Sequence, residues 1–248
     1  RLEDVPAGSH LLFSAHGVSP ARWEDARERQ LEVIDATCPL VAKVHNEARR
    51  FADKDFTIIL VGEPGHDETI GTMGWAPQHI KRVFTIEEVA QVEVPNPEKV
   101  AYITQTTLSV DDCTRLIEAL KKRFPHITGP RSADICYATQ NRQAAVNALS
   151  SQVDLVLVVG DRASANSTRL AEICTAKGIP AYLISSADMI QEAWLNGVES
   201  ILLTSGASAP ERLVQGVIEY FKTRGPCDVV ESEAELEGVH FKLPAAIA

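Results

Sequence analysis

Short apolar runs alternate with amphipathic stretches along almost all of the 248 residues. This alternation is typical of stacked βα units, in which helices cover a parallel sheet, so it predicts an α/β fold. The predicted strands are His10–Ala15, Leu31–Ala36, Phe56–Val61, Arg82–Ile86, Val100–Thr104, Leu155–Val159, Ala181–Ile184 and Ile201–Thr204. The predicted helices are Pro20–Arg29, Pro39–Ala52, Val110–Phe124, Thr139–Ser151, Thr168–Lys177, Ala187–Leu195 and Pro210–Thr223. The tail from Cys227 onward predicts one or two short extended pieces.

The chain also repeats itself. In two places a cysteine precedes a helix and a strand that ends in glycine, and both cysteine-to-glycine distances are 24 residues: Cys38 to Gly62 and Cys136 to Gly160. An apolar strand followed by a small polar loop, a serine and a helix occurs three times, with the serines at Ser19, Ser109 and Ser208. Three copies of the second pattern against two of the first predict a further cysteine-bearing unit upstream of Arg1. The alternative is that the two equal distances agree by chance.

These repeats predict three pseudo-repeated α/β units with small, mostly parallel sheets, the first unit being incomplete. The expected boundaries are residues 1–37 with the tail 226–248 for the first unit, 38–133 for the second and 134–225 for the third.

Charge and cysteine usage exclude several classes of protein. The net charge is -10, and no basic run is longer than Lys121-Lys122-Arg123, which argues against nucleic acid as a partner. No apolar run approaches the ~18 to 20 residues that span a bilayer, so no membrane partner is expected. The five cysteines form no C-x-x-C pair, which favours a reducing, cytoplasmic compartment over a secreted disulfide framework.

Helix-capping residues follow several strands. The three repeated serines are expected to cap helices, and the turn from Gly160 to Ser167 adds Ser164 and Asn166 at the end of a very apolar strand. Helix N-termini at the carboxyl ends of parallel strands bind anions, so a phosphoester ligand is predicted. No Walker or G-x-G-x-x-G motif indicates a particular nucleotide.

Two of the five cysteines stand at strand-to-helix junctions. Cys38 and Cys136 each precede a helix whose N-terminus favours the thiolate, which is the form that ligates iron and zinc. Cys113 and Cys174 share helix faces with apolar residues and are predicted to pack in the core. Cys227 has no assigned partner.

Two histidines follow apolar strands within glycine-containing turns. They are His16 and His66, and Glu68 lies two residues beyond the second. A histidine and a carboxylate placed this way indicate possible proton transfer, although an isolated H-x-E is common and mostly structural.

Five segments together resemble the 4-hydroxy-3-methylbut-2-enyl diphosphate reductase (IspH/LytB) family: DATCPLV at 35–41, GHDETIGTMG at 65–74, TQTTLSVDD at 104–112, DICYATQNRQ at 134–143 and SGASAP at 205–210. The resemblance extends from the start of the chain to near Leu243. It implies three α/β units around a central [4Fe–4S] cluster held by three cysteines.

The resemblance also implies roles for individual residues. Cys38 and Cys136 are two of the three cluster ligands, and the third is missing from this chain. The residues expected to hold the diphosphate are His16, His66, Ser164, Asn166 and Ser208. Thr106 orients the hydroxyl end of the substrate, and Glu68 supplies protons, with His66 beside it.

The implied activity is reductive dehydroxylation of (E)-4-hydroxy-3-methylbut-2-enyl diphosphate to isopentenyl and dimethylallyl diphosphates, in non-mevalonate isoprenoid biosynthesis. The implied electron donor is ferredoxin or flavodoxin. The chain departs from the family at Ala165, where a serine is often found, and it has no Gly-Phe-Cys-Ala-Gly-like motif before Arg1. Two alternatives stay open: a redox-inactive, phosphoester-binding α/β enzyme that uses His66 and Glu68 as acid and base, and a cluster-free binding or regulatory module.

Overall fold

The computed structural model describes residues 2–231 and 241–244. Within these ranges the strands are β1 (His10–Phe13), β2 (Glu32–Asp35), β3 (Thr57–Val61), β4 (Ile80–Val83), β5 (Val100–Thr104), β6 (Leu155–Val159), β7 (Ala181–Ile184) and β8 (Ile201–Ser205). The α-helices are α1 (Pro20–Glu28), α2 (Pro39–Ala52), α3 (Asp67–Met73), α4 (Ile86–Gln91), α5 (Val110–Arg123), α6 (Tyr137–Leu149), α7 (Ala165–Ala176) and α8 (Glu211–Lys222).

The strands form three small sheets with the orders β1-β2, β4-β3-β5 and β7-β6-β8. Every one of these strand pairs is parallel. The prediction of an α/β fold with three small parallel sheets is therefore confirmed. In both three-stranded sheets the first strand along the chain is central, and the next two strands flank it.

The described chain forms two compact units. The first comprises residues 2–106, 111–136 and 241–244, and the second comprises 107–110 and 137–231. The first unit contains the sheets β1-β2 and β4-β3-β5, and the second contains the sheet β7-β6-β8. The expected division at residues 37/38 and 133/134 stays a prediction.

The core of the first unit lies mainly between α2 and the sheet β4-β3-β5. Pro39 opens α2 at a position where its missing N–H costs nothing, and Val44, Ala48 and Phe51 follow at helical spacing. These three side chains pack in one apolar cluster with Ile58 of β3. Because β3 is buried on both faces, the turn at its carboxyl end is held on a rigid base.

The core of the second unit is built on both faces of β6, whose five residues are all buried. Leu157 lies in the cluster that contains Val217 of α8, whereas Val158 lies in the cluster that contains Leu170 of α7. This alternation follows from the two-residue period of a strand.

The sequence predictions fail at a few short elements. The predicted helix Ala187–Leu195 is wrong, because the segment forms two 3₁₀ turns, Ala187–Met189 and Glu192–Leu195. The short helices α3 and α4 were not predicted. Ser208 does not cap α8, whose N-cap is Pro210. Ser19 stands at the N-cap of α1, but its side chain makes no capping hydrogen bond.

Part of the predicted tail, residues 232–240 and 245–248, lies outside the described residues. Among the helices of the described part, none combines the length and the apolar character needed to cross a bilayer.

Candidate active site

The turn after β3 carries His66 and Glu68. His66 is the N-cap of α3, and its Nδ1 accepts a hydrogen bond from the Glu68 N–H at 3.2 Å. This bond places the proton of the neutral ring on Nε2. The ring of His16, from the loop after β1, meets the His66 ring edge to face with 5.3 Å between centroids. Burial and then His16 lower the pKa of His66. The structure thus brings these two predicted residues together and favours the neutral form of His66.

Glu68 is the most enclosed acid of this turn, with 1% of its surface exposed. Its Oε1 accepts a hydrogen bond from the Thr106 N–H at 2.6 Å, and its Oε2 accepts one from Thr106 Oγ1 at 2.9 Å. Burial raises the pKa of Glu68 to about 7, although both bonds from Thr106 act in the opposite direction. Glu68 can therefore hold or release a proton near neutral pH, and Thr106 fixes its orientation.

The buried residue Gln105 fixes the turn that carries these groups, and it was missed from the sequence. Its side-chain Oε1 accepts hydrogen bonds from the Glu63 N–H at 2.8 Å and from Thr69 Oγ1 at 3.1 Å. The sequence feature that could have identified Gln105 is its position between Thr104 and Thr106, directly after β5.

Cys38 and Cys136 both lie in the first unit. Cys38 stands between β2 and α2 as predicted, but the prediction of a strand-to-helix junction at Cys136 is wrong, because residues 124–136 between α5 and α6 contain no strand. Cys38 is the N-cap of α2, and its N–H donates to Ala15 O at 3.0 Å; the Cys136 N–H donates to Thr106 O at 2.8 Å. Both thiols are free and half-buried. They interact electrostatically with each other, and Cys38 also interacts with Glu68. Cys38, Cys136 and Glu68 therefore belong to one neighbourhood.

At the Cys38 thiol, burial and the N-terminus of α2 act on the pKa in opposite directions. The backbone N–H groups of Leu40 and Val41 lower the pKa of Cys38, but burial outweighs them and raises it. A ligated iron would supply the positive charge that offsets this burial.

The donor set fits an iron–sulfur site in chemistry. Cys38 supplies a free thiol at the N-terminus of α2 and Cys136 supplies a second one, and thiolates are the ligands that iron–sulfur clusters use. Across residues 2–231 and 241–244, no three His, Cys, Asp or Glu side chains are arranged to hold a metal ion. Cys113 and Cys174 are buried, as predicted, with 2% and 0% of their surfaces exposed.

The remaining predicted residues, Ser164, Asn166 and Ser208, lie in the second unit. Ser164 is the N-cap of α7, and its Oγ accepts a hydrogen bond from the Ser167 N–H at 3.3 Å. Ser208 is exposed in the turn after β8. A Cβ added at Gly206, where β8 ends, would lie 3.7 Å from Asn166 Nδ2, so the two turns meet at one edge of the sheet.

Asn166 is the unusual member of this group. It is 4% exposed, and among the described residues neither its Nδ2 nor its Oδ1 has a hydrogen-bond partner. A buried amide without partners costs about 1–3 kcal/mol, which a bound ligand would recover. With α7 beginning at Ala165, this edge has the chemistry of an anion-binding helix N-terminus.

The chain is similar to known proteins over most of its length. The family model described as "LytB protein" matches residues 2–222. The chain is 52% identical to the 4-hydroxy-3-methylbut-2-enyl diphosphate reductase of Streptomyces avermitilis over 245 residues, 98% of this chain and 72% of that protein. It is 49% identical to the enzyme of the same name from Dechloromonas aromatica over 243 residues, 98% of this chain and 79% of that protein.

Solved structures give the same result. The E-1-hydroxy-2-methyl-but-2-enyl-4-diphosphate reductase from Plasmodium falciparum matches with a TM-score of 0.89 and 38% identity, covering 100% of this chain and 78% of that one. A structure of (E)-4-hydroxy-3-methyl-but-2-enyl diphosphate reductase, the terminal enzyme of the non-mevalonate pathway, matches with a TM-score of 0.59 and 28% identity over 89% of this chain. The chain therefore belongs to the LytB family.

Proposed function

We propose that this protein is a 4-hydroxy-3-methylbut-2-enyl diphosphate reductase, an oxidoreductase of non-mevalonate isoprenoid biosynthesis. In this reaction the substrate takes up two electrons and two protons, its allylic C–O bond breaks, and water leaves. The products are isopentenyl diphosphate and dimethylallyl diphosphate. The 52% identity to an enzyme of this name supports the proposal.

The observation that carries the proposal is the Glu68–Thr106 pair. A carboxyl group with a pKa of about 7 is held by two hydrogen bonds in the neighbourhood of Cys38. Glu68 Oε2 and Thr106 Oγ1 are 2.9 Å apart, so a proton on Glu68 can reach the Thr106 hydroxyl over this bond. We propose that Thr106 orients the substrate hydroxyl and that Glu68 supplies a proton to it.

The cofactor that we propose is a [4Fe–4S] cluster, for which Cys38 and Cys136 provide two of three thiolates. Cys113 and Cys174 are both buried, and Cys174 lies in an apolar cluster, so we propose that the third thiolate comes from outside residues 1–248. When bound, such a cluster supplies electrons and a Lewis-acidic iron. Ferredoxin or flavodoxin is the proposed donor of these electrons. All five cysteines are free thiols, which supports a reducing, cytoplasmic compartment.

The diphosphate is assigned to two sets of polar groups. His16 and His66 form one set, and Ser164, Asn166 and Ser208 form the other. The unpartnered amide of Asn166 supports the second set, because its Nδ2 can donate to a phosphate oxygen.

The test uses the gene product that contains these 248 residues, prepared anaerobically and assayed with the diphosphate substrate and a chemical reductant. We expect the two named products, together with about four irons per chain. Cys38→Ser and Cys136→Ser should each lower the iron content, whereas Cys174→Ala, the matched control, should retain it. Iron-loaded protein that leaves the substrate unchanged would contradict the proposed function, and equal iron loss in all three variants would contradict the ligand assignment.

A further inference from the structure

Lys43 links the helix that begins at Cys38 to the segment that leads to Cys136. Lys43 lies on α2, five residues after Cys38. Its Nζ donates hydrogen bonds to Ser132 O at 2.8 Å, to Ala133 O at 3.1 Å and to Asp134 Oδ1 at 2.9 Å. The three N–H donors of the ammonium group thus have three acceptors, all in the residues just before Cys136.

Asp134, which accepts one of the hydrogen bonds from Lys43, is buried. The side chain of Asp134 has 0% exposure, and that of Lys43 has 27%. Asp134 Oδ2 accepts a second hydrogen bond, from the Thr104 N–H at 2.9 Å, where β5 ends. Charge-assisted hydrogen bonds to a carboxylate in such an environment are stronger than those at a surface. Asp134 therefore holds the segment before Cys136 against both α2 and β5.

This geometry gives Lys43 control over the position of Cys136 relative to Cys38. Cys38 moves with α2, because it is the N-cap of that helix. The Cys136 backbone is two residues from Asp134 and also bonds to Thr106 O at 2.8 Å. A second residue of α2, Glu47, lies one turn beyond Lys43 and interacts electrostatically with Asp134. Loss of the Lys43 bonds would free Ser132 O and Ala133 O and leave the Asp134 carboxylate buried without its cation.

We propose that Lys43 is a positioning residue that fixes the separation of the Cys38 and Cys136 thiols. The use of that separation, to hold two corners of one cluster, rests on the proposed function. The separation itself is a property of the protein without cofactor or substrate, so it is measured independently of turnover.

The test is a distance measurement in the 248-residue chain carrying Cys227→Ser, with nitroxide labels on Cys38 and Cys136. Cys113 and Cys174 are buried and are not expected to react. Lys43→Met keeps the length of the side chain and removes the charge and all three bonds. Lys43→Arg keeps the charge, but its planar fork cannot place three donors as a single ammonium does. Lys177→Met is the matched control, since the Lys177 ammonium donates to one backbone carbonyl, Asn147 O.

We expect the dipolar interaction between the labels to become weaker or more broadly distributed in Lys43→Met, to change less in Lys43→Arg, and to stay unchanged in Lys177→Met. Amide hydrogen exchange in residues 132–136 should become about 10- to 100-fold faster in Lys43→Met, while exchange in β3 stays the same. If Lys43→Met does not fold, Lys43→Arg decides the question.

An unchanged label separation in every folded Lys43 variant would overturn the proposal, and so would an equal change in Lys177→Met. If the separation depends on Lys43 but the gene product does not reduce the diphosphate, the proposed function is wrong and the positioning role stands. The reverse result would remove the positioning role alone.

Discussion

The turns that follow β3 and β6 place the same types of residue at the same spacing, but their buried polar side chains differ in chemistry. A glycine directly follows each central strand. Each turn then has an N-cap side chain, a buried polar residue and a small hydroxyl residue at the same spacing. The positions are Gly62, His66, Glu68 and Thr69 in one turn and Gly160, Ser164, Asn166 and Ser167 in the other, with each pair 98 residues apart. Cys38 and Cys136 show the same separation of 98 residues.

The difference lies in the buried polar residue. Glu68 can ionise, and Thr106 satisfies both of its oxygens. Asn166 is neutral, and within the described residues both of its side-chain polar atoms lack partners. The turn after β3 therefore holds the carboxyl group of Glu68 in a fixed orientation, whereas the turn after β6 leaves the amide of Asn166 free to bind a ligand. The two turns share their local architecture, and the buried side chain, Glu68 or Asn166, gives each turn its own chemistry.

The largest expected effect is a loss of turnover on substitution of Glu68, in the turn after β3. Glu68→Gln keeps the shape and the hydrogen-bonding capacity of the side chain but removes the proton, so we expect turnover to fall ~10² to 10⁴-fold with little change in substrate affinity. Glu118→Gln, an exposed acid on α5, is the matched control. Steady-state kinetics with the gene product, together with titration of the oxidised protein with substrate, measure the two quantities. Normal turnover in Glu68→Gln would assign the proton to another group.

In the turn after β6, we expect a substitution to weaken substrate binding more than it slows turnover. Asn166→Ala should weaken diphosphate binding about 10- to 100-fold, because a hydrogen bond to a charged group contributes ~1.5–3 kcal/mol. Turnover at saturation should change less than affinity does. Asn147→Ala, on the exposed side of α6, is the control. Substrate titration followed by calorimetry gives the affinities, and equal binding by both variants would remove Asn166 from the site.

A pH dependence of stability should also distinguish the turns. In the folded protein the pKa of Glu68 is about 7, above its ordinary value of 4.5. Between these two values the folded state keeps a proton that the unfolded state releases, so this contribution is full below pH 4.5 and is lost as the pH rises through 7.

We therefore expect the free energy of unfolding of the parent, relative to Glu68→Gln, to fall by roughly 1–3 kcal/mol between pH 4.5 and 7.5. The free energy relative to Asn166→Ala should show no such slope. Urea unfolding of the protein without cluster at several pH values measures both. A flat difference for Glu68→Gln would mean that Glu68 ionises normally in the folded state.

The smallest expected effect is on stability and concerns the glycines that follow the two central strands, Gly62 and Gly160. A Cβ at Gly160 would lie 2.2 Å from Ser167 Oγ and 2.6 Å from Ser167 Cβ, whereas a Cβ at Gly62 would lie 2.8 Å from Thr69 Oγ1. Overpacking of this kind costs ~1–3 kcal/mol, so Gly160→Ala should destabilise more than Gly62→Ala. Thermal unfolding of the two variants gives the order, and the reverse order would show that the two turns differ in rigidity.

Long periodic elements were predictable from the sequence. The predicted bounds of α2, β5, β6 and β7 match the structure. Each combines an apolar repeat with a clear start or end, such as Pro39 before the amphipathic face of α2. The short helices α3 and α4 were missed because a helix of six or seven residues is stabilised by its caps and its tertiary contacts more than by its own sequence. The same limit explains why Ala187–Leu195 was predicted as one helix.

The chemistry of the candidate site was likewise predictable in part from the sequence. The sequence alone determined which residues stand at the ends of strands, because strand and helix periodicities place Cys38, His66 and Asn166 there whatever the packing. Only the tertiary structure decided what those residues became. Burial raised the pKa of Glu68, and it also raised that of Cys38 against the effect of the helix N-terminus. Lys43 and Asp134 are 91 residues apart in the chain, and no local pattern relates them. Desolvation and long-range hydrogen bonds depend on which surfaces meet, and that is fixed only when the sheets and helices have packed.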